Sequence, residues 1–178
     1  MNKFLGFEIT HNEYSSFEMS QPFLIDRLLS LLGFGDNEFD TSTTTPVSKG
    51  LLYRNLAGKP RKLSWKYCTA VGMMSYLQEH TRPNISMPVH QTSRFCINPM
   101  LCVKKYMMRT GLYLLGTKRR CIIYKPDNSR GLELYVDAEF SGGLTQADAE
   151  NAENVLSRTG YSIMYASCTI HFVTKLQI

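Results

Sequence analysis

The residues of this chain best suited to chemistry are Asp137 and Glu139, in the run Leu134-Tyr135-Val136-Asp137-Ala138-Glu139-Phe140. Leu134, Val136, Ala138 and Phe140 alternate with Tyr135, Asp137 and Glu139, the period of a strand with one buried face. That alternation puts both carboxylates on the polar face, two residues apart. Like charges on one face of a strand repel each other. A divalent cation relieves the repulsion, because hard cations take carboxylate oxygens as ligands. Asp137 is the candidate ligand, with Glu139 beside it.

Charge along the chain is uneven in a way that suits a polyanionic partner. Between Lys104 and Arg130 lie Lys104, Lys105, Arg109, Lys118, Arg119, Arg120, Lys125 and Arg130, opposed by Asp127 alone. From Glu133 to Arg158 the balance reverses: Glu133, Asp137, Glu139, Asp148, Glu150 and Glu153 face one arginine. A basic helix and loop hold phosphates, and an acidic strand holds a metal. Tyr106, Tyr113 and Tyr124 are interleaved with the cations and offer rings for base stacking. The same pattern also describes a solvated helix face with its tyrosines in the core.

The elements that position these groups read as an α+β chain. Phe4 to Ile9 and Phe17 to Met19 form an N-terminal β-hairpin. Ser20 suits an N-cap and Pro22 the first turn of a helix with Phe23, Leu24, Leu28, Leu31 and Leu32 on one face, ended by Gly33 and Gly35. Asp36 to Lys62 has linker chemistry. Ser64 is placed to cap a helix whose stripe is Tyr67, Ala70, Val71, Met74 and Leu77. Pro83 stops it, Asn84 suits the next N-cap, and a helix from Met100 to Leu115 closes at Gly116. These antiparallel helices make the middle of the chain. A strand at Cys121 to Tyr124 follows, and then three strands: Leu132 to Phe140, Gly160 to Ser167 and Cys168 to Lys175.

Composition excludes several classes. With 43% hydrophobic and 20% charged residues in 178, the chain is globular in type. Its net charge of +5 is compatible with nucleic acid. No apolar run approaches the length of a membrane span, and the N-terminus lacks signal-peptide pattern. The expected compartment is intracellular and reducing, cytoplasmic or nuclear. Five cysteines at irregular spacing and four scattered histidines give no zinc-ligand pattern.

Several stretches together resemble one family. "FLGFEI", "SQPFLIDRLLSLLGFGD", "TPVSKGLL", "WKYCTAVGMMSYLQEHTRPNISMPVHQTSRFCINP", "YLLGT" and "LELYVDAEFSGG … ENVLSRTGYSIMYASCTIHFVTKLQ" resemble, in order, copia-type retrotransposon polyproteins. The resemblance implies the end of a reverse transcriptase palm with hairpin, helix and linker over 1–62, a helical thumb- or connection-like segment over 63–118, and the start of an RNase H-like sheet over 119–178. It implies RNA–DNA hybrid or other nucleic acid as partner, no membrane, and the rest of the polyprotein as a further partner. It implies Mg²⁺, with Asp137 matching the first catalytic aspartate. Glu139 stands where these sequences usually have the second aspartate of an Asp-Ala-Asp run. Two-metal hydrolysis needs about four carboxylates; the family's remaining ligands find no match here, and no Tyr-x-Asp-Asp polymerase motif occurs in the chain. Little or no activity is therefore expected of this polypeptide alone, and the RNase H-like strands are expected to leave Tyr161, Ile163, Tyr165, Ile170, Phe172 and Val173 partly uncovered. The alternative is a non-enzymatic nucleic-acid-binding module, or a remnant without function.

Overall fold

The computed structural model describes residues 2–12, 15–34, 43–47, 66–97, 99–139 and 157–176. The chain divides into two compact units: Met1–His11 with Glu18–Ile122, and Asn12–Phe17 with Ile123–Ile178. The α+β composition is as expected, with an N-terminal antiparallel hairpin, helices in the middle and a three-stranded antiparallel sheet at the C-terminal end.

The expected single strand from Phe4 to Ile9 is instead two. Strand β1 (Asn2–Phe4) turns back into β2 (Phe7–His11), with Phe4 opposite Phe7. Leu5 (φ 49°) and Gly6 (φ 85°) make the turn, both in the left-handed region. Such two-residue turns match the twist of paired strands. Strand β3 (Phe17–Ser20) lies beside β2.

Helix α1 (Pro22–Leu32) starts on Pro22 as expected, but Ser20 ends β3 and Gln21 takes the N-cap position without a side-chain cap bond. The Gln21 amide oxygen instead accepts from Thr81 Oγ1 at 2.7 Å. Gly33 closes the helix: its N–H donates to the Ser30 carbonyl (3.1 Å) and that of Phe34 to the Leu29 carbonyl (2.9 Å). The buried face is Ile25, Leu28, Leu29 and Leu32. Phe23, expected on it, is 64% exposed. The inner stripe is thus rotated from the expected one, since periodicity alone does not choose between overlapping apolar stripes.

Helix α2 (Tyr67–His80) buries the expected stripe of Tyr67, Ala70, Val71, Met74 and Leu77. Lys66 occupies its N-cap position, and Ser64 lies outside the described residues. Asn84 sits within a 3-10 turn, Pro83–Ile85, rather than capping; α3 (Ser86–Ser93) follows directly and α4 (Leu101–Gly116) after it. All four helices share one core, in which Leu28, Met74, Leu77, Ile85, Val103, Met107 and Leu114 are fully buried. Part of the expected linker, Thr43 to Val47, is fastened to α4. Arg109 Nη2 donates to Thr45 Oγ1 (2.9 Å), and Thr110 Oγ1 donates to the Pro46 carbonyl (3.1 Å).

The strand expected at Cys121 to Tyr124 is β4 (Ile122–Tyr124). In the second unit β5 (Leu132–Glu139), β6 (Arg158–Tyr165) and β7 (Cys168–Leu176) lie in that order, all antiparallel. The β6–β7 turn is made by Ala166 (φ 49°) and Ser167 (φ 64°). It is pinned by the Asp127 N–H to the Ala166 carbonyl (2.8 Å) and the Ala166 N–H to the Gly131 carbonyl (3.3 Å). Both turn residues carry the left-handed penalty. Ser167→Gly removes one such penalty at the cost of glycine's extra unfolded-state freedom, for an expected net gain of about 0.5–1 kcal/mol. A rise in the urea midpoint checks it; an unchanged or lower midpoint contradicts the turn geometry.

The buried face expected of β5 is absent. Leu134 is 63% and Val136 65% exposed. A sheet face is buried only when a second layer packs on it, and no described element covers this one. The expected partial uncovering of β6 and β7 is seen: Tyr161, Ile163, Phe172 and Val173 are half-buried, and Tyr165 and Ile170 exposed.

Candidate functional site

Asp137 lies on β5 opposite Gly160 of β6, which in turn lies opposite Thr174 of β7. Paired residues of antiparallel strands share a face, so Asp137, Gly160 and Thr174 form one row. Gly160 brings no side chain to it, and a Cβ there would stand 3.3 Å from Thr174 Oγ1. Asp137 is exposed. Glu139 lies on the same strand, opposite Arg158 in register. The third acid of β5, Glu133, is already engaged: Arg130 donates to its Oε1 from Nε (2.9 Å), Arg130 Nη2 stands 2.7 Å from the same oxygen, and the Tyr135 hydroxyl donates to Oε2 (3.2 Å).

Asp127, on the turn that pins the β6–β7 connection, accepts from the Ser129 hydroxyl (2.6 Å) and N–H (3.0 Å). Those bonds hold its carboxyl below the usual carboxylate range. Asp148, Glu150 and Glu153 lie outside the described residues. Among the described residues no group of three His, Cys, Asp or Glu could hold a metal. Magnesium asks for octahedral oxygen ligation and two-metal hydrolysis for several carboxylates. The donors around Asp137 do not fit that requirement.

Of the eight cations singled out in the sequence, six belong to the first unit, and these form two groups rather than one surface. Lys104 and Lys105 are in the first two turns of α4 and Arg109 is at its middle, while Lys118, Arg119 and Arg120 follow its end. At 1.5 Å of rise per residue the two groups are about 20 Å apart. Arg109 is committed to Thr45. Lys118 Nζ stands 2.5 Å from Asp26 Oδ1 of α1. Arg120 Nη1 donates to the Tyr113 hydroxyl at 3.3 Å. Arg119 is exposed and has no partner among the described residues.

Two of the three tyrosines do not present stacking platforms. Tyr106 and Tyr113 are buried, on the inner face of α4 with Val103, Met107 and Leu114. Tyr124 stacks on Phe17, ring centroids 4.7 Å apart and planes 14° from parallel, and burial raises its phenol pKa. Tyr106 and Tyr113 are thus core residues, while Tyr124 is half-buried.

Sequence reasoning missed Arg82. It is buried, its Nη1 donating to the Thr117 carbonyl (3.1 Å), its Nη2 to Thr117 Oγ1 (2.6 Å) and its Nε to Asn84 Oδ1 (3.3 Å). Its guanidinium carbon lies 5.6 Å from the centre of the Tyr113 ring, and the Asn84 amide donates to the Tyr113 hydroxyl. Burial lowers its pKa. A cation at the last carbonyls of a helix offsets the negative end of its dipole. The available signal was an arginine between an amphipathic stripe and Pro83.

All five cysteines are free thiols. Burial raises those of Cys96 and Cys121, which keeps them protonated and poor as nucleophiles. No helix among the described residues is long and apolar enough to cross a membrane.

No protein-family profile matches the chain, and no solved structure does. Curated proteins do. The chain is 31% identical over 137 residues to the retrovirus-related Pol polyprotein from transposon TNT 1-94 of Nicotiana tabacum, covering 75% of this chain and 9% of that protein. It is 28% identical over 134 residues to the retrovirus-related Pol polyprotein from transposon RE1 of Arabidopsis thaliana, covering 75% and 8%. With the transposon Ty5-1 protein of Saccharomyces cerevisiae it shares 26% identity over 140 residues, covering 78% and 44%. The chain thus spans less than half the length of each of these relatives, and its homologues are transposon proteins, two of them Pol polyproteins.

Proposed function

We propose that this stretch of retrotransposon polyprotein is copia-type and runs from the end of the reverse transcriptase into the start of RNase H, where it handles an RNA–DNA hybrid. The observation that carries the reading is the likeness, over three quarters of the chain, to three transposon proteins. An exposed carboxylate on a strand, paired in register with a glycine that brings no side chain to its row, supports Asp137 as part of an RNase H site. Glu139 would be its neighbour there. Lys104, Lys105, Arg109, Lys118, Arg119 and Arg120 would meet phosphates, and the compartment would be cytoplasm or nucleus. Asp137 by itself cannot fix magnesium, so any metal there depends on carboxylates beyond the described residues.

The polypeptide alone is therefore expected to release no labelled RNA from an RNA–DNA hybrid in the presence of Mg²⁺. Turnover that Asp137→Asn abolishes would overturn this and show a complete site. A second reading, nucleic-acid binding without catalysis, is favoured by the lack of a three-acid cluster among the described residues. It requires hybrid binding that weakens steeply with salt.

A further inference from the structure

We infer that the cleft between the start of α1 and the residues following α4 binds a phosphate ester, with Arg119, Arg120 and Ser20 as its polar contacts. The cleft has a volume of about 800 Å³, within the usual range for small-molecule sites. Ser20 and Pro22 line one side, Lys118, Arg119 and Arg120 the other, and Glu8 is the one acid on its wall.

Three features leave positive charge unspent there. Lys118 is matched by Asp26, so among the described residues lining the cleft Arg119 and Arg120 face one acid, Glu8; the bond Arg120 gives the Tyr113 hydroxyl leaves its charge unmatched. At the C-terminal end of α4 the Thr117 carbonyl already accepts from the buried Arg82 and from the Arg120 N–H, so it does not draw the side chains of Arg119 and Arg120 as caps. Helix α1 begins at Pro22 with neither a side-chain cap nor an acid in its first turn, so its positive end is uncompensated beside the cleft.

Phosphate is the anion that suits this set. Two guanidiniums present forked donors that match its tetrahedral oxygens. The volume exceeds that of one inorganic ion, and Pro22 and Leu115 add apolar wall for the group the phosphate carries. That ester could be a link in a nucleic-acid strand or a free nucleotide. The strand version rests on the proposed nucleic-acid function; the nucleotide version does not.

The experiment separates them. Anisotropy of a fluorescein-labelled RNA–DNA hybrid and calorimetric titration with ATP are measured at low salt on the full chain. Arg119→Gln, the double variant Arg119→Gln/Arg120→Gln, and a charge-matched control, Arg27→Gln/Lys175→Gln, are compared with wild type. The double variant is expected to bind at least one probe about tenfold more weakly; for the hybrid its log–log salt slope should fall by about two. Arg119→Gln, at an exposed side chain without a partner, should show part of the loss with unchanged thermal unfolding, and the control should stay within about twofold. Wild-type affinity for both probes in the double variant overturns the inference, and so does an equal loss in the control. If the hybrid binds wild type and double variant alike, and ATP binding is absent or likewise unchanged, the cleft falls and the nucleic-acid function stands; if ATP binding alone is lost, the cleft stands as a nucleotide site. If only ATP binds, and the double variant loses it, the cleft stands and the nucleic-acid function falls. Binding of neither probe by wild type overturns both.

Discussion

Arg82→Ala is expected to lower the stability of the helical unit by about 3 kcal/mol. The arginine donates to the carbonyl and hydroxyl of Thr117 and to Asn84, and is almost wholly buried. Its removal takes the charged donor from the Thr117 carbonyl at the α4 C-cap, which keeps only the Arg120 N–H (3.0 Å), and strips the Thr117 hydroxyl and Asn84 of their donors, at a cost of about 1–3 kcal/mol, with a void where the stem lay. Relief from desolvating the charge returns part of that. Arg82→Leu, which refills the stem volume, should lose less than alanine. Arg82→Lys keeps the charge but not the fork, and should fall between wild type and leucine. Urea unfolding at 25 °C measures the series. A loss under about 0.5 kcal/mol for alanine would show that the network does not hold the helices together.

Gly111→Val should cost about 3 kcal/mol, for a different reason. A Cβ at Gly111 would sit 2.7 Å from Phe34 Cε2 and 2.9 Å from Leu32 Cδ1. The leucine tip can turn away. Phe34 cannot easily do so, because its ring is buried in the core and its backbone is held by the N–H that closes α1 on the Leu29 carbonyl. In an open helix, glycine to alanine gains up to about 1 kcal/mol. Here overpacking of about 1–3 kcal/mol outweighs it, so Gly111→Ala is also expected to destabilise, more mildly. Trimming the ring with Phe34→Leu should rescue Gly111→Ala in a double-mutant cycle. A more stable Gly111→Ala single variant would refute the close approach of α4 to the end of α1.

Legibility in the sequence follows from which forces leave a periodic trace. The α2 stripe is readable because burial of one helix face imposes its own spacing on Tyr67, Ala70, Val71, Met74 and Leu77. Strands β6 and β7 are readable from their apolar runs. Their joint at Ala166-Ser167 carries no turn signature, since neither residue favours the left-handed region it occupies; Leu5 hides the first hairpin in the same way. The alternation of β5 is legible but its burial is not, because pattern gives a face without saying what packs on it. At the candidate site, Asp137 is found from its place on a strand. The separation of the cations into two groups depends on where along α4 each one falls and which neighbours claim it. Arg82 is least visible of all: its role is set by Thr117, far along the chain, and no local rule marks a buried cation.

That long-range tie has a consequence for synthesis on the ribosome. Until Thr117 has emerged, the guanidinium of the α2–α3 corner has no helix end to meet, and nascent chains stopping earlier must keep a charge out of a core that otherwise surrounds it. Domains tend to fold as units during translation, so the helical half can lock into place only after the whole of α4 has left the exit tunnel, while the C-terminal strands are still being made.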